Sequence, residues 1–249
     1  MLEIENLRVA FGNIVAVDHF NMTISPNTIH SLIGPNGAGK TTVFNAIFNF
    51  VPYSGKITFL DHDLGKIPQY ERISLGLART FQNLSLFYSM NVEENVKLGL
   101  FAFLKTNMFK DFVGFDVFNR KEVEKQVNEA LELVNIVPLA KAYPVFLPHG
   151  TQKLVELARA IVSKPKLVML DEPAAGLNDE EKIELKKVLL KIKDMGITIL
   201  IVEHDMGIVM DISDIVTVMS YGEKIAEGTP EAVSKNEDVI KAYLGVEDA

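Results

Sequence analysis

A chain of 249 residues, 48% of them apolar, is long enough to bury one large or two small cores, which excludes a peptide hormone or a fibrous array. Its 25 basic and 33 acidic residues leave a net charge of −8, which argues against a surface built to neutralise nucleic-acid phosphates, one local basic patch aside. With no cysteine there is no disulfide framework, thiolate zinc site or thiol nucleophile.

The opening Met1-Leu2-Glu3-Ile4-Glu5 lacks the basic and apolar regions of a secretion signal, so the chain is expected to stay cytoplasmic. No apolar run approaches the roughly 20 residues of a membrane span, so any membrane role is expected to come through a partner. Leu2, Ile4, Leu7, Val9 and Phe11 fall at a loose period of two, which predicts a half-exposed strand turning at Gly12-Asn13. A short β-rich run over 28–33 ends at Gly34, and a helix is predicted after the glycine-rich loop, over 41–47. Ser54-Gly55 and 56–60 predict a further hairpin strand.

From about 83 to 162 the pattern turns helical: Val123, Val127, Ala130, Leu131 and Val134 share a face, with Asn119 and Glu122 placed like a capping box. Six phenylalanines between Phe101 and Phe118 are too apolar for a solvated loop. A helix is also expected over about 152–162. After Pro165, strands over 167–170 and 198–202 flank a helix over 178–195, capped by Asn178 and Glu181 and stopped by Gly196. This alternation predicts a parallel sheet. Stretches 215–219 and 223–227 read as a hairpin about Ser220-Tyr221-Gly222. The fold class is therefore α/β: a mainly parallel core sheet, an antiparallel β portion and an inserted α-helical lobe.

Gly34-Pro35-Asn36-Gly37-Ala38-Gly39-Lys40-Thr41 fits G-x-x-x-x-G-K-[ST] between a strand and a helix. Glycines let backbone amides turn inward around phosphate oxygens, and the helix start adds positive potential. Lys40 is expected to reach β- and γ-phosphates and the Thr41 hydroxyl to ligate Mg²⁺. The strand 167–170 ends in Asp171 and Glu172, where a parallel sheet presents its ligands. Asp171 is expected to hold Mg²⁺ and Glu172 to polarise an attacking water, the alternative being charges that merely precede a helix. His204, beyond the strand over 198–202, is a γ-phosphate contact or else a loop residue. Phe11 stacks on adenine or packs in the core.

Taken in order, these residues resemble the ATP-binding subunits of ABC transporters over essentially the whole chain. The resemblance assigns Phe11 to the adenine contact, Gly34 through Thr41 with Thr42 to the phosphate loop, and Gln82 to the loop that contacts nucleotide and metal. It assigns Asp171 and Glu172 to the acidic strand end, 174–178 to the following D-loop and His204 to the switch histidine. It implies a single P-loop ABC-type nucleotide-binding domain over 1–249, with a core of 1–82 and 163–249 and a helical lobe of 83–162. The phrases Arg79-Thr80-Phe81-Gln82, Glu203-His204-Asp205-Met206 and Ala242-Tyr243-Leu244-Gly245 are similar to the branched-chain amino-acid importer ATPases.

That subtype implies ATP and Mg²⁺ as cofactors. Its partners would be a second, different ATPase subunit, two transmembrane permease subunits and, indirectly, an extracytoplasmic substrate-binding protein, with no nucleic acid. A groove near Gln82 would receive a coupling helix of the permease, with Phe87 and Tyr88 as its seat or else buried in the lobe. The chain departs from the family signature LSGGQ, which aligns with Leu147, Pro148, His149, Gly150 and Thr151, followed by Gln152. The expected hydroxyl and one glycine are missing, so the expectation is a dimer in which this chain's own site hydrolyses ATP while the partner site it caps is slow. Open alternatives are an importer of other amino acids, amides or urea, a soluble ABC-type ATPase, and a P-loop kinase, which needs neither His204 nor a signature helix.

Overall fold

In a computed structural model, residues 1–81, 84–103 and 120–244 are described. Two sheets organise them. The antiparallel sheet has the order β2-β1-β4-β5, from β1 (Leu2–Phe11), β2 (Ile14–Ile24), β4 (Ser54–Phe59) and β5 (His62–Asp63). Along β1 the residues Leu2, Ile4, Leu7 and Val9 point inward, as the alternation predicts. The period slips between Ile4 and Leu7, where Asn6 takes a left-handed φ of 49°.

The second sheet has the order β10-β9-β3-β8-β7-β6. Its strands are β3 (Ile29–Ile33), β6 (Leu77–Arg79), β7 (Leu167–Asp171), β8 (Thr198–Val202), β9 (Ile215–Ser220) and β10 (Glu223–Gly228). All pairs are parallel except β9 with β10. Every residue of β3, β7 and β8 is buried, because the sheet is covered on both faces. Leu167 and Met169 pack with Leu2, Phe20 and Phe44 against the antiparallel sheet and α1 (Lys40–Ile47). Val168 and Leu170 pack on the helical side, with Val127, Leu131, Val155 and Leu189.

Those last residues lie on α4 (Arg120–Leu133), α5 (His149–Ile161) and α6 (Asp179–Asp194). The shorter helices are α2 (Gln69–Arg72), α3 (Val92–Lys97), α7 (Met206–Ile212), α8 (Pro230–Ser234) and α9 (Glu237–Leu244). Around α6 the expected caps form: Asn178 and Glu181 exchange both bonds of a capping box, and Gly196 follows at φ 84°. Helix α5 starts three residues earlier than expected, since Pro148 at φ −55° serves as its N-cap, where no donor amide is needed. Strand β6, the short helices and β5 give too short a pattern to be anticipated. Asn119, Phe109, Phe112, Phe115 and Phe118 lie outside the described residues.

Candidate active site

Strands β3, β8 and β7 are neighbours, and their C-terminal ends carry the phosphate loop, His204 and Asp171-Glu172 to one edge of the sheet. The loop between β3 and α1 admits no side chain at two glycines. At Gly34, φ is 151° and a Cβ would lie 2.1 Å from the Met219 carbonyl oxygen; at Gly39, φ is 100° and it would lie 2.5 Å from that of Ala16. Gly39 is the N-cap of α1 and offers no side-chain bond, so the first amides of that helix remain for a ligand. The loop is tied from behind by the β9–β10 turn, where the Gly222 amide donates to the Ala38 carbonyl at 3.1 Å.

Lys40 is buried and turned back onto its own loop, its ammonium donating to the carbonyls of Gly34 (2.7 Å) and Pro35 (2.9 Å). Burial lowers its pKa, opposed by Glu172 and Asp171, which places both carboxylates within electrostatic reach of the ammonium. Asp171 is held on one side: Arg79 Nη2 donates to its Oδ2 at 3.0 Å, with side-chain exposures of only 5% and 2%. Among the described residues its Oδ1 is buried with no hydrogen-bond partner. Burial raises the Asp171 pKa, and Arg79 opposes that rise.

Glu172 adopts φ 49°, and its amide donates to the Val202 carbonyl at 2.9 Å, which swings the chain out of the strand at this carboxylate. Its Oε2 stands 3.9 Å from Nδ1 of His204, a ring more than half exposed. Two further residues hold this edge. Lys153 on α5 donates to the carbonyls of Glu172 and Pro173, each at 3.1 Å. The fully buried Glu203 carboxylate accepts from the amides of Ala174 (2.7 Å), His204 (3.1 Å) and Asp205 (3.3 Å), tying the loop after Glu172 to the loop bearing His204.

Sequence reasoning missed the roles of Arg79, Lys153 and Glu203. Phe11 is 50% exposed at the end of β1, beside the hairpin whose β2 contributes Ala16 to the back of Gly39. Core packing is thereby excluded for it. Gln82 lies outside the described residues.

Residues 147–152 make their contacts elsewhere. Gln152 Nε2 donates to the Leu147 carbonyl at 2.9 Å, a Cβ on Gly150 would collide with Glu181 at 2.3 Å, and one on Gly176 would meet the His149 ring at 3.6 Å. The first intrahelical bond of α5 runs from the Gln152 amide to the Pro148 carbonyl, so the amides of His149, Gly150 and Thr151 precede the ladder.

A groove of about 670 Å³ opens between the parallel sheet's β6 end and the helical side, lined by Phe50, Tyr70, Arg79, Phe81, Phe87 and Arg159. Phe87 and Tyr88 are 52% and 48% exposed rather than buried in the lobe.

Comparison with known proteins places this geometry in context. The family profile described as ABC transporter matches residues 17–175, and one described as branched-chain amino acid ATP-binding cassette transporter matches 223–249. The high-affinity branched-chain amino acid transport ATP-binding protein BraF of Pseudomonas aeruginosa is 40% identical, covering 98% of both chains. The corresponding LivG protein of Escherichia coli K12 is 41% identical with the same coverage. An ATP-binding cassette of an ABC transporter, solved in an ADP conformation, superposes with a TM-score of 0.86 at 30% identity over 98% of each chain.

Proposed function

The chain belongs to the ABC transporter family of ATP-binding proteins, and from that membership we propose that it is the ATP-hydrolysing subunit of an importer for branched-chain amino acids, driving a separate membrane permease. As a member of that family it is an ATP-binding ATPase with the α/β P-loop fold. The observation that carries the reading is the convergence of Lys40, Asp171, Glu172 and His204 on one edge of three adjacent parallel strands.

In this reading the amides of residues 34–41 and the start of α1 bind the phosphates, with Thr42 beside them and Phe11 stacking on adenine. Lys40 exchanges its two loop carbonyls for β- and γ-phosphate oxygens. Asp171, Thr41 and Gln82 would hold Mg²⁺. The buried, unpartnered Oδ1 of Asp171 supports this, since an oxygen donor of that kind suits a hard cation. When bound, Mg²⁺ neutralises charge on the phosphate oxygens. Glu172 orients the attacking water and His204 contacts the γ-phosphate, while Lys153 and Glu203 keep their two loops in register.

Residues Leu147 to Gln152 cap the nucleotide of a second, different ATPase subunit, and that subunit's signature caps this one. Closure follows ATP because γ-phosphate contacts to both chains exist only in the closed state, and cleavage removes that difference. The groove beside Phe81 and Phe87 seats a coupling helix from one of two permease subunits, which an extracytoplasmic binding protein supplies with amino acid. In this reading the chain is a peripheral subunit on the cytoplasmic face of the membrane. No helix of the described residues is long and apolar enough to cross a membrane.

The test is Glu172→Gln mixed with its cognate ATPase chain. Phosphate release at this site falls by about 10²- to 10⁴-fold, and Mg-ATP drives a stable heterodimer seen by light scattering. A monomer that passes phosphate to a small molecule instead refutes the reading.

A further inference from the structure

Arg79 joins two places that the reading above treats separately, the carboxylate Asp171 and the groove. One arm of its fork reaches Asp171 Oδ2 at 3.0 Å and the other, Nη1, reaches Asn45 Oδ1 at 2.9 Å. Its guanidinium is surrounded by four aromatic rings, with centroids at 5.2 Å (Phe81), 5.4 Å (Phe44), 5.6 Å (Phe50) and 5.9 Å (Phe48). Phe44 and Phe48 are buried beside the phosphate-loop helix, whereas Phe50 and Phe81 are each 43% exposed and line the groove. Phe50 also leans on Phe48 and Phe81, both at 6.1 Å.

Burying an arginine with a carboxylate is costly, and a well-packed apolar pair would stabilise the core at least as well. What the pair does supply is orientation. Taking up Oδ2 alone leaves Oδ1 as the free oxygen of Asp171, and the bond to Asn45 stops the guanidinium from rotating away. Four rings lie within 6 Å of that cation, so a shift of Phe50 or Phe81 moves it and, one hydrogen bond further on, the carboxylate. A lysine in this place would keep a charge but lose both the fork and the stacked plane.

We propose that Arg79 is a positioning residue: it fixes Asp171 with one oxygen turned toward the metal site, and it carries the packing of the groove's aromatic wall to that carboxylate. The inference rests on the nucleotide-site reading above and adds to it a route by which what fills the groove alters how metal-nucleotide is held. Arg79 meets α1 at Phe44 and Asn45, about one turn beyond Lys40, and among the described residues its guanidinium bonds to Asn45 and Asp171 and not to Lys40 or the loop that would bind the phosphates without metal.

The test is equilibrium binding of a fluorescent ATP analogue to the full chain at graded Mg²⁺ and in EDTA, in a Glu172→Gln background that removes turnover. Arg79→Met raises the Mg²⁺ concentration for half-maximal effect by roughly ten- to a hundredfold, as for other residues that orient a ligating group, with affinity in EDTA unchanged. Arg79→Lys recovers only part of the shift. Phe50→Leu, which leaves the ion pair intact, shifts it by about two- to fivefold, the worth of one ring face. An unchanged Mg²⁺ requirement overturns the inference, as does an equal loss of binding with and without Mg²⁺, which is what a merely structural role gives. Should Arg79→Met fail to fold, Arg79→Lys and Phe50→Leu decide by the same criteria. Absence of Mg²⁺-dependent binding before any change at Arg79 or Phe50 overturns the parent reading as well, which separates the two failures.

Discussion

His30, in the middle of β3, is 1% exposed and lies 2.7 Å from the Thr217 hydroxyl, which donates to Glu227 Oε2 at 2.7 Å. A hydroxyl that gives its one proton to a carboxylate must accept from the ring, so Nε2 of His30 carries a proton in this arrangement. Burial lowers its pKa from 6.5 to about 4, with Glu227 opposing the shift and Lys224 adding to it. Between these two values the unfolded chain binds a proton that the folded chain refuses. Stability from this residue is therefore complete above pH 6.5 and is lost as pH falls toward 4, by about 3 kcal/mol in all. Thermal unfolding of the native chain and of His30→Gln at pH 7.5 and pH 5 should show the native chain losing more of its Tm, with the difference confined to that window. At this scale, contiguous motifs were legible. Lys40, Asp171 and Glu172 stand out in the sequence because the residues proposed to act together are adjacent or separated by a fixed loop. His30 with Thr217, Arg79 with Asp171 and Glu203 with Ala174 were not, because each pair is joined only after the sheet brings distant strands side by side.

Helix α6 begins where the loop after Glu172 ends, and its cap decides where that loop stops. Asn178 Oδ1 accepts from the Glu181 amide at 2.9 Å, and the Glu181 carboxylate accepts from the Asn178 amide at 3.0 Å. The same Glu181 carboxylate occupies the space in front of Gly150, so one side chain orders the loop and also packs against the start of α5. Asn178→Ala removes one bond of the pair and should cost about 1 kcal/mol, read as a lower urea midpoint at unchanged m-value. Hydrolysis should fall further than stability alone accounts for, because the loosened loop starts at the carboxylate of Glu172. The α6 signal was legible because capping is written in four consecutive positions, and β7 and β8 were legible as continuous apolar runs. Strand β6 was not: three residues hold too little pattern, and what makes Leu77–Arg79 a strand is its parallel pairing with Leu167, Val168 and Met169. The early start of α5 was hidden for another reason, since a proline in an extended conformation reads equally well as the end of a loop or as a cap.

At the scale of the whole molecule, two packed layers clamp the parallel sheet and leave its C-terminal edge open, with the phosphate loop, Glu172 and His204 along it. Such an open edge does not enclose a nucleotide by itself, so a facing subunit supplies the other half in the proposed assembly. The two halves of that exchange are unequal here. The groups proposed for hydrolysis in this chain, Lys40, Asp171, Glu172 and His204, all stand at that edge. What it offers its partner is the start of α5, which retains the amides of 149–151 but has Pro148 where a hydroxyl and an amide would stand, and His149 in place of a glycine. Loss of one hydrogen bond to a charged phosphate oxygen is worth about 1.5–3 kcal/mol, or roughly a ten- to hundredfold slower step, at the partner's site alone. In the assembled heterodimer, Glu172→Gln in this chain should therefore abolish most phosphate release, while the matching substitution in the partner should leave most of it. Equal residual rates from the two single substitutions would refute the asymmetry. Pro148→Ser supplies the reciprocal check, because restoring a hydroxyl and an amide at the helix start should raise turnover at the partner's site and leave turnover at Glu172 unchanged.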